Sequence, residues 1–507
     1  MIRFSQRASR QSRRVYSNQN SGSNDSSGTY GYSFPYIRNL LNSIWSSEKE
    51  SEQSTTAGRP AARLALPTRA VIVERSLAVV ERLLSAKSIH EQLQSAVDLE
   101  RHLLRHPEAL TLKQLRSVMP LLYTWRQNTH DFALKDQMAR CLALMGQVRP
   151  VEGSGIRLLS IDGGGARGLM ALEVLQNLES YCFGYRIHEL FDYIIGVSTG
   201  AVIAALLGGL RLNVRECKEI YEQVPLRLFD QSRIGGSLGL VLSHSYYNTE
   251  TWIKLLREAM GEKSFLDTTE RPDHIKIGMV SCVSSGHELV PFIFRNYNHP
   301  FDRYSSFEGT CGFKLWEAAQ ASAAAPGYFQ QCVLGDRVHQ DGGMITNNPT
   351  AVGIHECRLL WPDASFQCVL SLGNGHYGPG FRDNFSTEFI SLVDRIAKLV
   401  DTATETLSKI VFLLINYAIS LKRNVTAVHT TLSALMPASS YYRMDPYMSR
   451  PYTMDESNPT RLKMMQDDAN NYVRKNMPKL QAAASRLMRP KTSWQKLKEC
   501  IPFGKTL

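Results

Sequence analysis

Cysteine is sparse and unpatterned in this chain. Nine are scattered over 507 residues, an odd number with no Cys-x-x-Cys pair; this argues against a disulfide framework and for free thiols in a reducing compartment. No EF-hand spacing of acids occurs either, so neither a metal nor any other cofactor is expected. Long uncharged runs are rare. The one that is eighteen residues long, Tyr193 to Leu210, is interrupted by four glycines, Ser198 and Thr199, which favours strand, turn and buried helix over a membrane span. The twelve residues from Ile410 to Leu421 are too few to cross a bilayer. Acid is missing from residues 1–24, which hold five arginines. That composition predicts a mitochondrial presequence, since a secretory signal would need an apolar core. The final Lys505-Thr506-Leu507 does not reproduce the peroxisomal Ser-Lys-Leu address. A mitochondrial, membrane-associated location is therefore the expectation, with endoplasmic reticulum or peroxisomal membranes as lesser alternatives.

What is present is unevenly charged. The formal net charge is +11, and residues 461–507 carry eleven Lys or Arg against three acids, so the positive charge sits at the two ends. Basic ends without interleaved aromatics speak against nucleic acid and for peripheral association with an anionic membrane surface. A plain solvated tail is the alternative at the C-terminus. The 43% of apolar residues fits a globular protein.

Four regions follow. Residues 1–60 read as presequence and Ser/Asn/Gly-rich linker, with Ile37, Leu40, Leu41, Ile44 and Trp45 on one helical face. Residues 61–150 show helical periodicity of armadillo type: Val73, Leu77, Val80, Leu84; Leu93, Val97, Leu104; Leu112, Leu115, Met119, Leu122; Leu134, Met138, Cys141, Met145. Residues 155–353 hold the chemistry. Residues 354–507 read as a last core strand and a helical C-terminal lobe, in which Phe389, Leu392, Ile396 and Leu399 form a one-faced stripe.

Three short segments carry the function. Asp162-Gly163-Gly164-Gly165-Ala166-Arg167-Gly168 lies between an apolar run, Ile156 to Ile161, and a helical stretch from Leu169 to Leu178. Such a turn lets backbone N–H groups approach an anion, either a diphosphate or the oxyanion of a tetrahedral intermediate. Glu189, at about the spacing of a ribose-binding acid, keeps the dinucleotide reading open. Arg167 is suited to attracting a lipid phosphate or to bracing the turn. In Gly196-Val197-Ser198-Thr199-Gly200, a glycine two residues either side of the serine permits a sharp strand-to-helix turn that lifts the hydroxyl clear of the sheet. Asp341-Gly342-Gly343 ends the strand-like Val338-His339-Gln340 and offers an uncrowded carboxylate. Asp341 is then a general base or a turn aspartate bonding its own backbone. His339, on the same strand face, is the rival base.

Taken in order, the three segments resemble the patatin-like phospholipases, with their glycine-rich loop, Gly-x-Ser-x-Gly elbow and Asp-Gly-Gly/Ala. Ala321 to Phe329, Asn347-Asn348-Pro349 and Leu370-Ser371-Leu372-Gly373 extend the resemblance. It implies an α/β fold with a three-layer α/β/α core between the N-terminal helical region and the C-terminal lobe. It also implies a Ser198–Asp341 dyad without a catalytic histidine, an oxyanion hole at Gly163, Gly164, Gly165, Arg167 and Gly168, an elbow at Gly196 and Gly200, and no metal. The substrate it implies is a glycerophospholipid. A neutral-lipid lipase or acyltransferase with the same dyad, and an inert lipid-binding scaffold, are the competing functions.

Overall fold

Ile156–Ile161 is buried at all six positions and forms β1, parallel to both its neighbours in the middle of a mixed sheet. A strand covered on both faces has no solvent side, so four of its six residues are Ile or Leu, while Arg157 is paired with Asp192 and Ser160 accepts from the Thr350 hydroxyl. The structure, a computed structural model, describes residues 67–229, 247–271, 273–285, 288–377 and 425–500. All lie in the compact unit Pro67–Leu507. The leader and linker, the Ile37–Trp45 face, the Phe389–Leu399 stripe and the Ile410–Leu421 run fall outside the described residues.

The helical region comprises α1 (Arg69–Ser85), α2 (Ile89–Arg105), α3 (Met119–Asn128) and α4 (Phe132–Leu144). Ser88 starts α2 by accepting from Glu91 N–H, while the Glu91 carboxylate accepts from Ser88 N–H. The inward faces of α1 and α2 differ from the expected ones. Leu77 and Leu84 are 44% and 67% exposed, whereas Ser76, Val79, Val80 and Leu83 are buried. Likewise Ser95, Ala96, Leu99 and Leu103 form the buried face of α2; the expected Leu93 packs against that core partly buried, whereas Leu104 is 39% exposed. Small residues let two helices approach closely, and a count of large apolar residues overlooks them. On α4 the expected Leu134, Met138 and Cys141 are buried. Leu266 and Cys311, from the chain that follows, complete this core.

The sheet runs β5 (Glu308–Thr310), β4 (Glu288–Arg295), β3 (Lys276–Ser285), β2 (Tyr193–Val197), β1, β8 (Phe366–Leu372), β9 (Tyr441–Met444), with β6 (Cys332–Leu334) and β7 (Arg337–Asp341) joined on at β3. Residues alternate between two helical layers. Leu159, Ile161 and Ile194 face one, which contains α5 (Gly168–Tyr181), α6 (Thr199–Ala204), α7 (Val214–Leu228) and α8 (Thr249–Met260). Ile156, Leu158, Tyr193 and Ile195 face the other, built on α10 (Thr350–Leu360). The three-layer α/β/α arrangement is thus present. Of the remaining helices, α9 (Leu315–Ser322) packs on β3, α11 (Pro459–Lys475) on α5, and α12 (Met477–Leu487) on β8. The C-terminal region adds two strands to the sheet where one was expected. β8 lies inside it, and β9 pairs with β8 in parallel from Val369↔Tyr441 to Leu372↔Met444.

One registration decides the site. The first half of an edge of β3 pairs in parallel with β2, ending at Val197↔Val280, and the next residue, Ser281, pairs with Asp341 of the antiparallel β7. Two strands therefore meet head to head on consecutive residues of a third.

Candidate active site

Ser198 follows β2 directly and precedes α6, with φ 53° and ψ −121°. A positive φ at a serine is a strained conformation, costing about 1–3 kcal/mol, and persists only where the surroundings enforce it. They do so by contact. A methyl group at Gly196 would strike the Gly200 carbonyl, and one at Gly200 would strike that of Ile161. The glycines permit the turn because nothing larger fits. Ser198 N–H donates to Ser322 Oγ at 2.9 Å, and that hydroxyl donates to Val280 O at 2.5 Å.

The Ser198 hydroxyl donates to Asp341 Oδ2 at 2.7 Å. The other carboxylate oxygen accepts from Gly343 N–H at 2.7 Å. Asp341 is fully buried, and its N–H donates to Ala324 O at 3.0 Å while Gly342 N–H donates to Ser322 O at 3.2 Å. The end of α9 therefore holds both members of the pair through main-chain and hydroxyl bonds. Sequence reading noted Ala321 to Phe329 without assigning Ser322 this part. The local signal was a lone serine in an alanine run.

His339 is brought close in sequence but turned away. Its Nδ1 is 2.9 Å from Ser281 Oγ, and its ring packs edge-on against Phe292 at 5.0 Å. Burial depresses its pKa to about 4, with Arg337 adding to the effect, so the ring is neutral at ordinary pH. No bond joins it to Ser198.

The glycine loop lies beside Ser198. Gly163 N–H is bonded to Asn347 O at 3.3 Å, and Gly168 N–H to the carbonyls of Ala166 and Gly165. Among the described residues the N–H groups of Gly164 and Gly165 make no hydrogen bond. Arg167 braces the turn, its Nε donating to Gly164 O at 3.2 Å. The loop is anchored at Asp162, whose carboxylate takes a bidentate pair from buried Arg443 of β9, at 2.9 and 2.6 Å. Asn374 Nδ2 donates to Asp162 O at 2.6 Å, and Ala166 N–H to Met454 O at 2.7 Å. Glu189, the proposed ribose acid, is elsewhere. It caps the turn at Arg186, bonding its N–H at 2.7 Å, ahead of β2 and so at the other end of the sheet. That separation removes the basis of the dinucleotide reading.

Ser198 and Asp341 line a pocket open to solvent, whose walls include Val224, Leu228, Phe229, Trp252 and Phe329. Trp252 and Phe329 stack with centroids 5.7 Å apart. Such a surface suits a hydrocarbon chain. Among the described residues no group of three or more His, Cys, Asp or Glu is placed to hold a metal. His102 and His106 have the i,i+4 spacing of a ligand pair, but His102 Nε2 bonds Ser76 Oγ at 2.8 Å. The eight described cysteines are free and buried. No described helix is long and apolar enough to cross a membrane.

Residues 159–354 match the sequence profile of the patatin-like phospholipases. That region is patatin-like. The chain is 37% identical to calcium-independent phospholipase A2-gamma of Oryctolagus cuniculus over 434 residues, covering 85% of this chain and 52% of the relative. The Homo sapiens protein of that name is 36% identical, with 85% and 53% covered. A cUMP-AMP-activated phospholipase of Escherichia coli is 29% identical over 265 residues, 50% of this chain and 76% of the relative. The chain spans about half the length of the mammalian relatives it matches. Within the patatin-like region, Ser198, Asp341 and the glycine loop all fall inside the matched residues.

Proposed function

We propose that this patatin-like chain is a phospholipase that hydrolyses fatty-acyl esters of glycerophospholipids through a Ser198–Asp341 dyad, with no need of calcium. The observation that carries the reading is the 2.7 Å hydrogen bond from the strained Ser198 hydroxyl to a buried carboxylate, at the wall of an apolar cavity. Ser198 Oγ attacks the ester carbonyl as its proton passes to Asp341 Oδ2. The carbonyl electrons move onto oxygen, where Gly164 and Gly165 N–H groups receive the charge. Collapse expels the lysophospholipid alkoxide, which takes the proton from Asp341 and leaves an acyl-serine. Asp341 then removes a proton from water, the hydroxide attacks, and fatty acid departs as Ser198 is reprotonated. Gly343 N–H holds Oδ1 throughout and so directs Oδ2 to the moving proton.

The calcium-independent relatives support the substrate class. The test is incubation of the purified chain with defined phospholipids in excess chelator, with products identified by mass spectrometry. Equimolar fatty acid and lysophospholipid are expected. Silence in chelator with recovery on added calcium, using monomeric substrate, would overturn the metal-free mechanism. The Arg-rich leader is proposed to direct the enzyme to mitochondria, and residues 1–24 fused to a fluorescent protein should co-localise with them. A cytosolic fusion would refute this.

A further inference from the structure

The opposite end of the sheet holds a second cavity, which the dyad does not use. It lies at the N-terminal ends of β1, β2 and β3, where Arg157, Asp192 and Lys276 stand, whereas Ser198 follows the C-terminal end of β2. Its lining carries four Lys or Arg and four Asp or Glu, of which Glu189 is engaged by the Arg186 N–H, and the charges are unequally partnered. Arg157 is satisfied by Asp192 at 2.8 Å and Arg211 by Asp273 at 2.5 Å. Lys276 is buried yet touches no carboxylate among the described residues; its Nζ lies 3.3 Å from His274 Nε2. Arg149, at the cavity wall, donates to the His274 carbonyl at 2.9 Å, and its ion pair with the exposed Glu152 is 4.0 Å long. His188 is buried, lines the same space and has no partner for Nδ1.

These basic groups oppose one another. Burial lowers the Lys276 pKa to about 7, with Arg149 adding to the effect. His274 is held well below its ordinary range by burial, then by Lys276 and Arg149, and burial brings His188 to about 4. Removing a cation from water without a counter-charge is costly, and cavities that gather such groups serve to receive an anion. A single carboxylate would balance one of Lys276 and Arg149 and leave the other. A doubly charged phosphate group balances both and offers several acceptor oxygens to ammonium, guanidinium and imidazole donors. Phe191 and Trp361 give the cavity an apolar wall beside these groups.

We propose that this cavity binds a ligand carrying a phosphate monoester or diphosphate group, held by Lys276, Arg149 and His188 at the end of the sheet remote from the dyad. Arg149 lies in the segment joining α4 to β1, so the ligand would also fasten the helical region to the catalytic sheet.

The test is titration calorimetry of the full chain with inorganic pyrophosphate in chloride buffer. Binding to the unaltered protein is expected, weakened about tenfold or more by Lys276→Met and by Arg149→Gln, since each removes a charge-assisted contact. Hydrolysis of a soluble short-chain ester should be equal in all three proteins. Because Lys276→Met also removes an uncompensated buried charge, its melting temperature without pyrophosphate should equal or exceed that of the parent. If Lys276→Met does not fold, Arg149→Gln, at a partly exposed position, decides alone. No binding heat at about 10 mM pyrophosphate, where even millimolar affinity registers, would overturn the proposal, as would undiminished binding in the variants. Vesicles of phosphatidate in phosphatidylcholine distinguish the sources. Vesicle binding that pyrophosphate displaces and Arg149→Gln loses identifies a lipid headgroup; pyrophosphate binding without such displacement identifies a soluble phosphate compound.

Discussion

The two ends of the central strands are built on different principles. At the C-terminal ends of β1 and β2 the chain spends glycines: main chain approaches main chain, Ser198 is held at positive φ, and its hydroxyl bonds Asp341. At the N-terminal ends, side chains do the work, with Arg157–Asp192 and Arg211–Asp273 pairs around a cavity that also holds the buried Lys276. The difference teaches that a reactive end needs positions fixed by backbone sterics, which tolerate almost no substitution. A charged end rests on long side chains, whose replacement changes affinity before it changes shape.

The largest effect that could break this contrast is on turnover. Ser198→Ala should leave the fold intact and reduce ester hydrolysis by roughly a thousandfold or more, with Asp341→Asn nearly as damaging. Circular dichroism and steady-state assays of the two variants check this; near-normal rates in either folded protein would remove the dyad. Next comes the anchor of the glycine loop. Arg443→Met strands the buried Asp162 carboxylate and should cost about 3–5 kcal/mol in denaturant unfolding. The double variant Arg443→Met/Asp162→Asn should recover part of that loss, because the orphaned charge is gone. A smaller effect, about 1–3 kcal/mol, is expected from Gly200→Ala, which forces backbone apart at the elbow. Its activity should fall far more than its stability, and proportionate losses would mean the turn is merely structural.

The smallest predicted effect sharpens the choice of base. His339→Gln should keep hydrolysis within about threefold, a change worth less than ~1 kcal/mol, because the ring bonds Ser281 rather than Ser198. The pH dependence has a definite sign. His339 and His188 both have folded pKa values near 4, below the unfolded value of about 6.5. The unfolded chain therefore binds more protons between those limits, so their contribution to stability is complete above about pH 6.5 and is lost as pH falls toward 4. Unfolding curves across that interval should lose up to about 1.4 kcal/mol per pH unit for each ring, and His339→Gln should flatten the slope. An unchanged slope would mean the ring titrates normally.

Much of the reactive end was legible because its constraints are local. The buried run of β1, the glycines flanking Ser198 and the Asp-Gly-Gly after β7 each declare a turn within a few residues, and backbone sterics leave few ways to satisfy them. The inward faces of α1 and α2 were misread because small residues such as Ser76 and Ala96 are informative only once a neighbour is known. β9 escaped notice because four residues carry little periodicity and gain their meaning from pairing with β8.

By itself, then, the sequence determined the glycine turns, the sharp bend at Ser198 and the largely apolar strands that carry them, since sterics and burial act over short spans. Only tertiary structure decided which base the serine meets. Ser198 and Asp341 are 143 positions apart, and nothing local distinguishes Asp341 from His339. The choice is made by β2 and β7 ending on consecutive residues of β3, Val280 and Ser281, which points the carboxylate at the hydroxyl and turns the imidazole into the aromatic core. Tertiary structure alone likewise gathered Arg149, His188 and Lys276 into one cavity, because charges from separate segments become a site only when the strands beneath them are set side by side.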